Sequence, residues 1–265
     1  MTAVTPRTLP PRLKSPSVLA WAVMIVFAAF FIQGLIGAEV SLDRLQRGAT
    51  NFVRFISLAL PPDFSRWPLM ASAMLETLNI AIVGVTFGCI LSVPLALLAA
   101  RNTSPNGAVR TVARLVIAIA RTIPDLIWAL IFVVAVGLGP LAGILAIILD
   151  TIGFAARFYS ERFEEVQKGP SEALSSTGAG RLSVISGAIL PESFASMTAT
   201  SLYSVEKAIR SAVTLGLVGA GGIGVELSTA MRLFQYDQAA AIILVVLVAV
   251  IGFEQLSSSI RKRII

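Results

Sequence analysis

Apolar residues in this chain gather in blocks of about twenty, the length a helix needs to cross a hydrocarbon core. They do not fall into the runs of about 4–8 that mark buried strands. The first block is VLAWAVMIVFAAFFIQGLIG, residues 18–37, and the second, about 75–100, contains IAIVGVTFGCILSVPLALLAA. A third and a fourth are nearly fused between about 112 and 159, and GLGP at 137–140 marks the break, because Gly and Pro punctuate helices most strongly. The fifth, about 193–218, is unusually polar, and the sixth is AAAIILVVLVAVIGFEQL, 239–256. The pattern predicts an all-α, polytopic membrane protein with about six transmembrane helices. A polar loop at 38–68 and a longer polar segment at 161–192 separate the blocks.

Composition agrees with this reading. Of 265 residues, 56% are hydrophobic and 14% charged, and mean hydropathy is +0.84, whereas soluble domains carry about 25% charged residues. Lys and Arg near span ends set the orientation. One side collects 14 basic residues, at Arg7, Arg12, Lys14, Arg101, Arg110, Arg114, Arg121, Arg157, Arg162, Lys168, Arg181, Arg261, Lys262 and Arg263. The other side has 5: Arg44, Arg47, Arg54, Arg66 and Arg232. Both termini are therefore expected in the cytoplasm, with the chain multi-pass in the cytoplasmic (inner) membrane. These flanks account for most of the net charge of +6, so no nucleic-acid partner is implied. The first block is longer than the apolar core of about 7–15 residues in a signal peptide, which favours a retained first helix.

Much chemistry is excluded. There is no histidine and one cysteine, Cys89, inside an apolar block. An internal disulfide, a His/Cys metal cluster and a Ser-His or Cys-His nucleophile pair are thus ruled out, and no metal site is expected. No G-x-x-x-x-G-K-[ST] loop occurs, so no nucleotide is held by a Walker motif. GAGGIG at 219–224 satisfies G-x-G-x-x-G through Gly219, Gly221 and Gly224, with Asp237 placed 18 residues after Gly219. A dinucleotide site needs a strand before those glycines and a soluble α/β setting. Residues 214–218 could form that strand, but the composition does not supply the setting, and the predicted orientation puts the motif outside the cell.

The segment GPSEALSSTGAGRLSVISGAILP, 169–191, is too polar to span and too long for a turn. Pro170 suits a helix start, residues 171–177 two short turns, and Gly178 the left-handed position that ends a helix. A second short helix, about 181–189, is expected to stop at Pro191. The result is a compact knob on the cytoplasmic face, for which an ordinary amphipathic loop is the plainer reading. This segment resembles the EAA motif of permease subunits in binding-protein-dependent ABC importers. Glu172, Ala173, Gly178, Leu190 and Pro191 match in identity and spacing, while Leu174 replaces the second alanine and Ala188 a usual isoleucine. RTIPDLIWALIF (121–132), ILDTIGFAARFYSERFEEV (148–166) and VEKAIRSAVTLGLVGAGGIGVEL (205–227) resemble the phosphonate-type branch of these permeases.

The resemblance implies a MetI-like type I permease fold over 69–265, with an EAA coupling loop at 161–192. A cytoplasmic tail at 1–17 and a first helix with its external loop at 18–68 precede it. It implies that Glu172, Ala173, Gly178, Ala179, Leu190 and Pro191 dock on an ATPase subunit. It also implies two ATP-binding cassette subunits, an external substrate-binding protein and a second permease chain, identical or paralogous, all working at a lipid membrane. ATP and Mg would sit on the partner ATPase, and this chain would bind no cofactor. Gly219, Gly221, Gly222 and Gly224 become an external loop, either a tightly packed turn or a contact for binding protein or substrate.

Charges inside spans usually face a cavity or a partner. The fifth block carries Glu206, Lys207 and Arg210, with Ser211 beside them, and Asp150 lies in the fourth. Glu206 and Arg210 share a helix face at i, i+4. One reading is structural, with Glu206–Arg210 and Asp150–Lys207 as ion pairs. The other is a pathway in which one cation is left for an anion, and the forked donors of Arg suit a phosphorus oxyanion. The expected function is transport of phosphonate or a related oxyanion such as phosphite or phosphate. The alternatives are a self-sufficient proton-coupled carrier and a membrane enzyme using Asp150 and Glu206 as acid and base.

Overall fold

The protein is described by a computed structural model covering residues 17–38 and 41–264. The expected tail, with Arg7, Arg12 and Lys14, lies outside the described residues. Two compact units divide at residues 57 and 58. The first holds α1 (Val18–Gly37) and nearly all of α2 (Leu42–Ala59). The second holds α3 (Trp67–Ala99), α4 (Gly107–Thr122), α5 (Asp125–Val136), α6 (Pro140–Glu165), α7 (Lys168–Ser176), α8 (Arg181–Val184), α9 (Leu190–Gly216), α10 (Ile223–Arg232) and α11 (Tyr236–Ile264). The described residues contain no strand.

Four helices, α1, α3, α6 and α11, are long and apolar enough to cross a membrane. The span expected at about 112–136 is instead a pair, α4 and α5, bent by 91°. The cause is Pro124. Ile123 before it is extended (ψ 120°), as a residue preceding proline prefers. Proline has no N–H to give the Ala120 carbonyl one turn back. The Trp128 indole donates to that oxygen instead, at 3.3 Å. The break expected at GLGP is present, with Gly137 and Gly139 at φ +92° and +131°. The fifth span, α9, has 27 residues, about 40 Å at 1.5 Å per residue. Glu206, Lys207 and Arg210, together with its many serines and threonines, make it more polar than the other four. The polar stretch 38–68, expected as loop, contains α2. That helix puts Leu42, Leu45, Phe52, Val53 and Ile56 on one stripe and Arg44, Arg47 and Arg54 on the other.

In the second unit α3 and α6 approach closely through glycine. A Cβ on Gly84 would lie 2.6 Å from Ile147 Cγ2, and one on Gly88 2.5 Å from Thr151 Cβ. The four-residue spacing puts both glycines on one stripe, as in close-packed membrane helix pairs. Around this seam lie two buried clusters. One, with Ile80, Ile147, Ile209, Leu215 and Ile223, fills the end near the glycine loop. The other, with Tyr159, Phe163, Ile185 and Ile189, fills the end near α7. Cys89 is a free, half-buried thiol packed against both.

The double change Gly84→Ala with Gly88→Ala is expected to cost about 1–3 kcal/mol by overpacking. Gly252→Ala, whose added methyl meets nothing within 4 Å, should be neutral. Thermal melting of the purified protein in detergent compares the two.

Candidate functional site

The expected site residues fall in three places, at the two ends and the middle of one continuous rod, with Asp150 facing it from α6. Its lower end is the knob. α7 ends in a Schellman turn, where the Ala179 N–H donates to Leu174 O (3.3 Å) and the Gly178 N–H to Ser175 O (3.0 Å). Gly178 sits at φ +81°, which a side chain disfavours. Glu172 and Ala173 are exposed on α7, and Leu182 is 80% exposed beside them. Arg181 donates to the Ser104 carbonyl, and the Gln167 N–H to Glu192 Oε1 at 3.1 Å. The knob is thereby tied to the 101–106 loop and to α9. Pro191 does not stop the chain as expected. α8 runs through a π-helical turn, Ile185–Ile189, straight into α9. The Leu190 N–H donates to Ile185 O, so the wider turn takes up the register before proline's missing N–H matters. Leu190 and Pro191 are the first residues of α9 and lie inside the rod, not at a boundary.

The middle of the rod carries the charges. Arg210 Nη2 lies 2.7 Å from Glu206 Oε1, and Lys207 Nζ lies 2.8 Å from both oxygens of Asp150. The Lys207 ammonium also sits 5.3 Å from the Phe154 ring centre, a cation–π distance. Ser211 is half-buried on the face of Lys207. A third cation is present that sequence reasoning counted as tail: Arg261 Nη2 lies 3.6 Å from Glu206 Oε2. Its distance from the apolar block hid it, but a long arginine on the same helix reaches back. Three cations thus face two carboxylates, and the pairs join α9 to both α6 and α11. The Glu206 side chain is 10% exposed and that of Arg210 56%, so the acid is buried and the guanidinium is open.

The upper end is the glycine loop. The residues before it are the last turn of α9, not a strand, which removes the dinucleotide arrangement. Gly219, Gly221 and Gly222 have φ of +92°, +86° and +75°. Gly224 lies in α10 and packs against the α9 backbone at Val213 and Gly216. Two residues missed in the sequence pin this loop to α3. The Gly222 N–H donates to Glu76 Oε1 (3.1 Å) and the Ile223 N–H to Thr77 Oγ1 (2.8 Å). Glu76 was the legible signal, an acid at the edge of an apolar block. With Glu226 it lines a cavity of about 350 Å³ that also includes Gly219, Gly221 and Gly222.

Residues 92–264 match the family described as binding-protein-dependent transport system inner membrane component. The chain belongs to that family. It is 40% identical to the phosphate-import permease protein PhnE of Mycolicibacterium smegmatis, over 81% of this chain but 40% of that protein's length. It is 37% identical to the phosphite transport system permease protein PtxC of Stutzerimonas stutzeri, over 90% of this chain and 85% of the relative. The fold matches the inward-facing MetNI methionine ABC transporter with a TM-score of 0.66 at 18% identity, covering 77% of this chain and 99% of that one. It also matches a bacterial ABC transporter for the acidic polysaccharide alginate, with a TM-score of 0.64 at 15% identity, covering 92% and 96%. This family member is a membrane-embedded transport subunit and not an enzyme. An ATPase subunit and a substrate-binding protein are the partners that membership implies.

Thr77→Val keeps shape but leaves the buried Ile223 N–H without its acceptor. It should cost about 1–3 kcal/mol and speed hydrogen exchange at Ile223. Glu76→Gln, which keeps an acceptor oxygen, should be milder in the same thermal and exchange measurements.

Proposed function

We propose that this permease carries phosphonate or a related phosphorus oxyanion, such as phosphite or phosphate, inward across the cytoplasmic membrane. The observation that carries the reading is the open Arg210 guanidinium beside a buried Glu206, in a cluster with one excess positive charge. The forked donors of arginine fit an oxyanion with paired bonds, and the carboxylate keeps the grip weak enough for release. The names of the two relatives point to the same anion class. Two ATPase subunits, holding ATP and Mg, dock on the α7 knobs of this chain and of a second permease chain. A binding protein delivers the anion on the glycine-loop side. Both termini lie on the cytoplasmic side with the knob, following the 14-to-5 division of basic residues. The carrier and enzyme alternatives need a free carboxyl, and both Asp150 and Glu206 are engaged by cations.

The test is uptake of labelled phosphonate, phosphite and phosphate into vesicles holding the permease with its ATPase and binding protein. Arg210→Gln alone leaves Glu206 with Arg261, so the complex should assemble. The double change Glu206→Gln with Arg210→Gln should also assemble, yet lose at least tenfold in uptake, and Lys at 210 should restore only part. Near-normal uptake by the double variant would make the pair a structural bridge alone.

The docking assignment has a separate readout. Gly178→Val places a β-branched residue at φ > 0. It should leave the protein in the membrane while cutting both transport and substrate-stimulated ATP hydrolysis several-fold. Unchanged hydrolysis would sink the assignment.

A further inference from the structure

α4 and α6 cross at Gly153, where an added Cβ would lie 2.7 Å from the Arg121 backbone nitrogen. This close approach sets Arg121 beside Arg157, one turn further along α6. Between the two helices is a cavity of about 410 Å³, lined by Arg114, Arg121, Arg157, Ser160, Glu161 and Glu164. It lies at the end of α6 from which α7 emerges, well apart from the glycine loop.

The three arginines differ in what they already hold. Arg114 is committed: Nε donates to Ala99 O at 3.0 Å, and Nη2 pairs with Glu164 Oε1 at 2.7 Å. Arg157 uses Nε on Glu161 Oε1 at 2.8 Å, and no protein group takes its two terminal nitrogens among the described residues. Arg121 has no hydrogen-bond or ion-pair partner among them at all. Three guanidiniums against two carboxylates leave a net positive lining. The apolar face of α4, with Val112, Leu115, Val116 and Ile119, is exposed on the other side, so the arginine stripe faces this cavity. The Ser160 hydroxyl gives its proton to Arg157 O at 2.8 Å, so the donors in this cavity are those of the arginines.

We infer that this cavity is a binding site for a phosphate-type oxyanion, gripped by Arg121 and the free nitrogens of Arg157, with Arg114 fixed in its wall. A planar fork with unused N–H donors matches such a group, and a second guanidinium nearby gives geometry as well as charge. The inference deepens the transport reading and rests on it for the anion's origin: cargo that has passed the Arg210 cluster meets this cavity on the knob side. A lipid phosphate presents the same chemistry from the exposed face of α4.

The test uses the permease–ATPase complex in an Arg210→Gln background, so that the pathway cluster does not contribute. In neutral phosphatidylcholine nanodiscs, equilibrium binding of labelled inorganic phosphate is expected. Arg121→Gln with Arg157→Gln should weaken it at least tenfold, and lysine at both positions should restore part. In phosphatidylglycerol nanodiscs, a lipid occupant would appear as lipid retained in native mass spectra and lost in the same double variant. Loss of either ligand supports the site and names the source. Equal phosphate binding and equal lipid retention in parent and variant overturn it. If the double variant fails to fold, Arg121→Gln alone decides, because that guanidinium has no protein partner to lose. Uptake by the otherwise unmodified complex is measured separately. Normal uptake with unchanged binding removes this site and leaves the cargo reading intact. Absent uptake removes the cargo reading, while the binding comparison still decides the site.

Discussion

In hydrocarbon no water is available to a broken helix, so every backbone donor and acceptor freed by a break must find a partner inside the protein. The second unit interrupts or distorts its helices repeatedly, and at three of these places the replacement bonds are plain. At Pro124 the Trp128 indole serves the Ala120 carbonyl. At Pro191 the π turn moves the hydrogen-bond register so that the helix continues. At Gly222 and Ile223 the exposed amides are taken by Glu76 and Thr77 of α3. At the glycine loop the wall that supplies the partners is α3, itself held close to α6 at Gly84 and Gly88.

The same shortage of water governs the charges. An isolated carboxylate at this depth would be protonated or strongly destabilising. Glu206 keeps two arginines and Asp150 one lysine. The cluster is unbalanced: it holds one cation more than acids, and the Arg210 side chain is 56% exposed, so its net charge favours an anion there. The cavity between α4 and α6 is likewise lined by one more cation than acids, with Arg114 committed in its wall and unused donors on Arg121 and Arg157.

Block length and the Gly-Pro break were legible in the sequence because they depend on local chemistry. So was the left-handed position of Gly178, since the residues that end a helix lie within one turn of it. The i, i+4 pair of Glu206 and Arg210 was legible for the same reason. Partners far apart in the chain were not. Thr77 looks like one more small residue in an apolar span, and its role becomes visible only when Ile223 is beside it, 146 positions away. Arg261 reads as a cytoplasmic flank until α11 is seen to lie against α9. Pro191 misled because its cost was judged against an α-helical register, and the π turn before it changes that register. The α4–α5 bend was missed because Ile123 and Pro124 fall between two apolar stretches, 115–120 and 126–136, whose combined length outweighed the proline.

The three candidate sites share one element. From Arg181 the chain is helical without interruption through the π turn to Gly216, so the knob, the charge cluster and the start of the glycine loop lie along a single rod. A π turn is wider and less regular than the helix it interrupts, and it sits just where the knob joins. The far end is fixed by Glu76 and Thr77 and by the close packing of Gly224 on Gly216. With one end pinned to α3 and the other carrying the exposed α7 knob, a force on the knob must either flex the π turn or tilt the rod. A tilt would move Lys207 and Glu206 against Asp150 on α6 and Arg261 on α11. Under the proposed function, those ion pairs are the contacts that such a tilt would strain, which links the proposed docking and cargo sites through the middle of the rod.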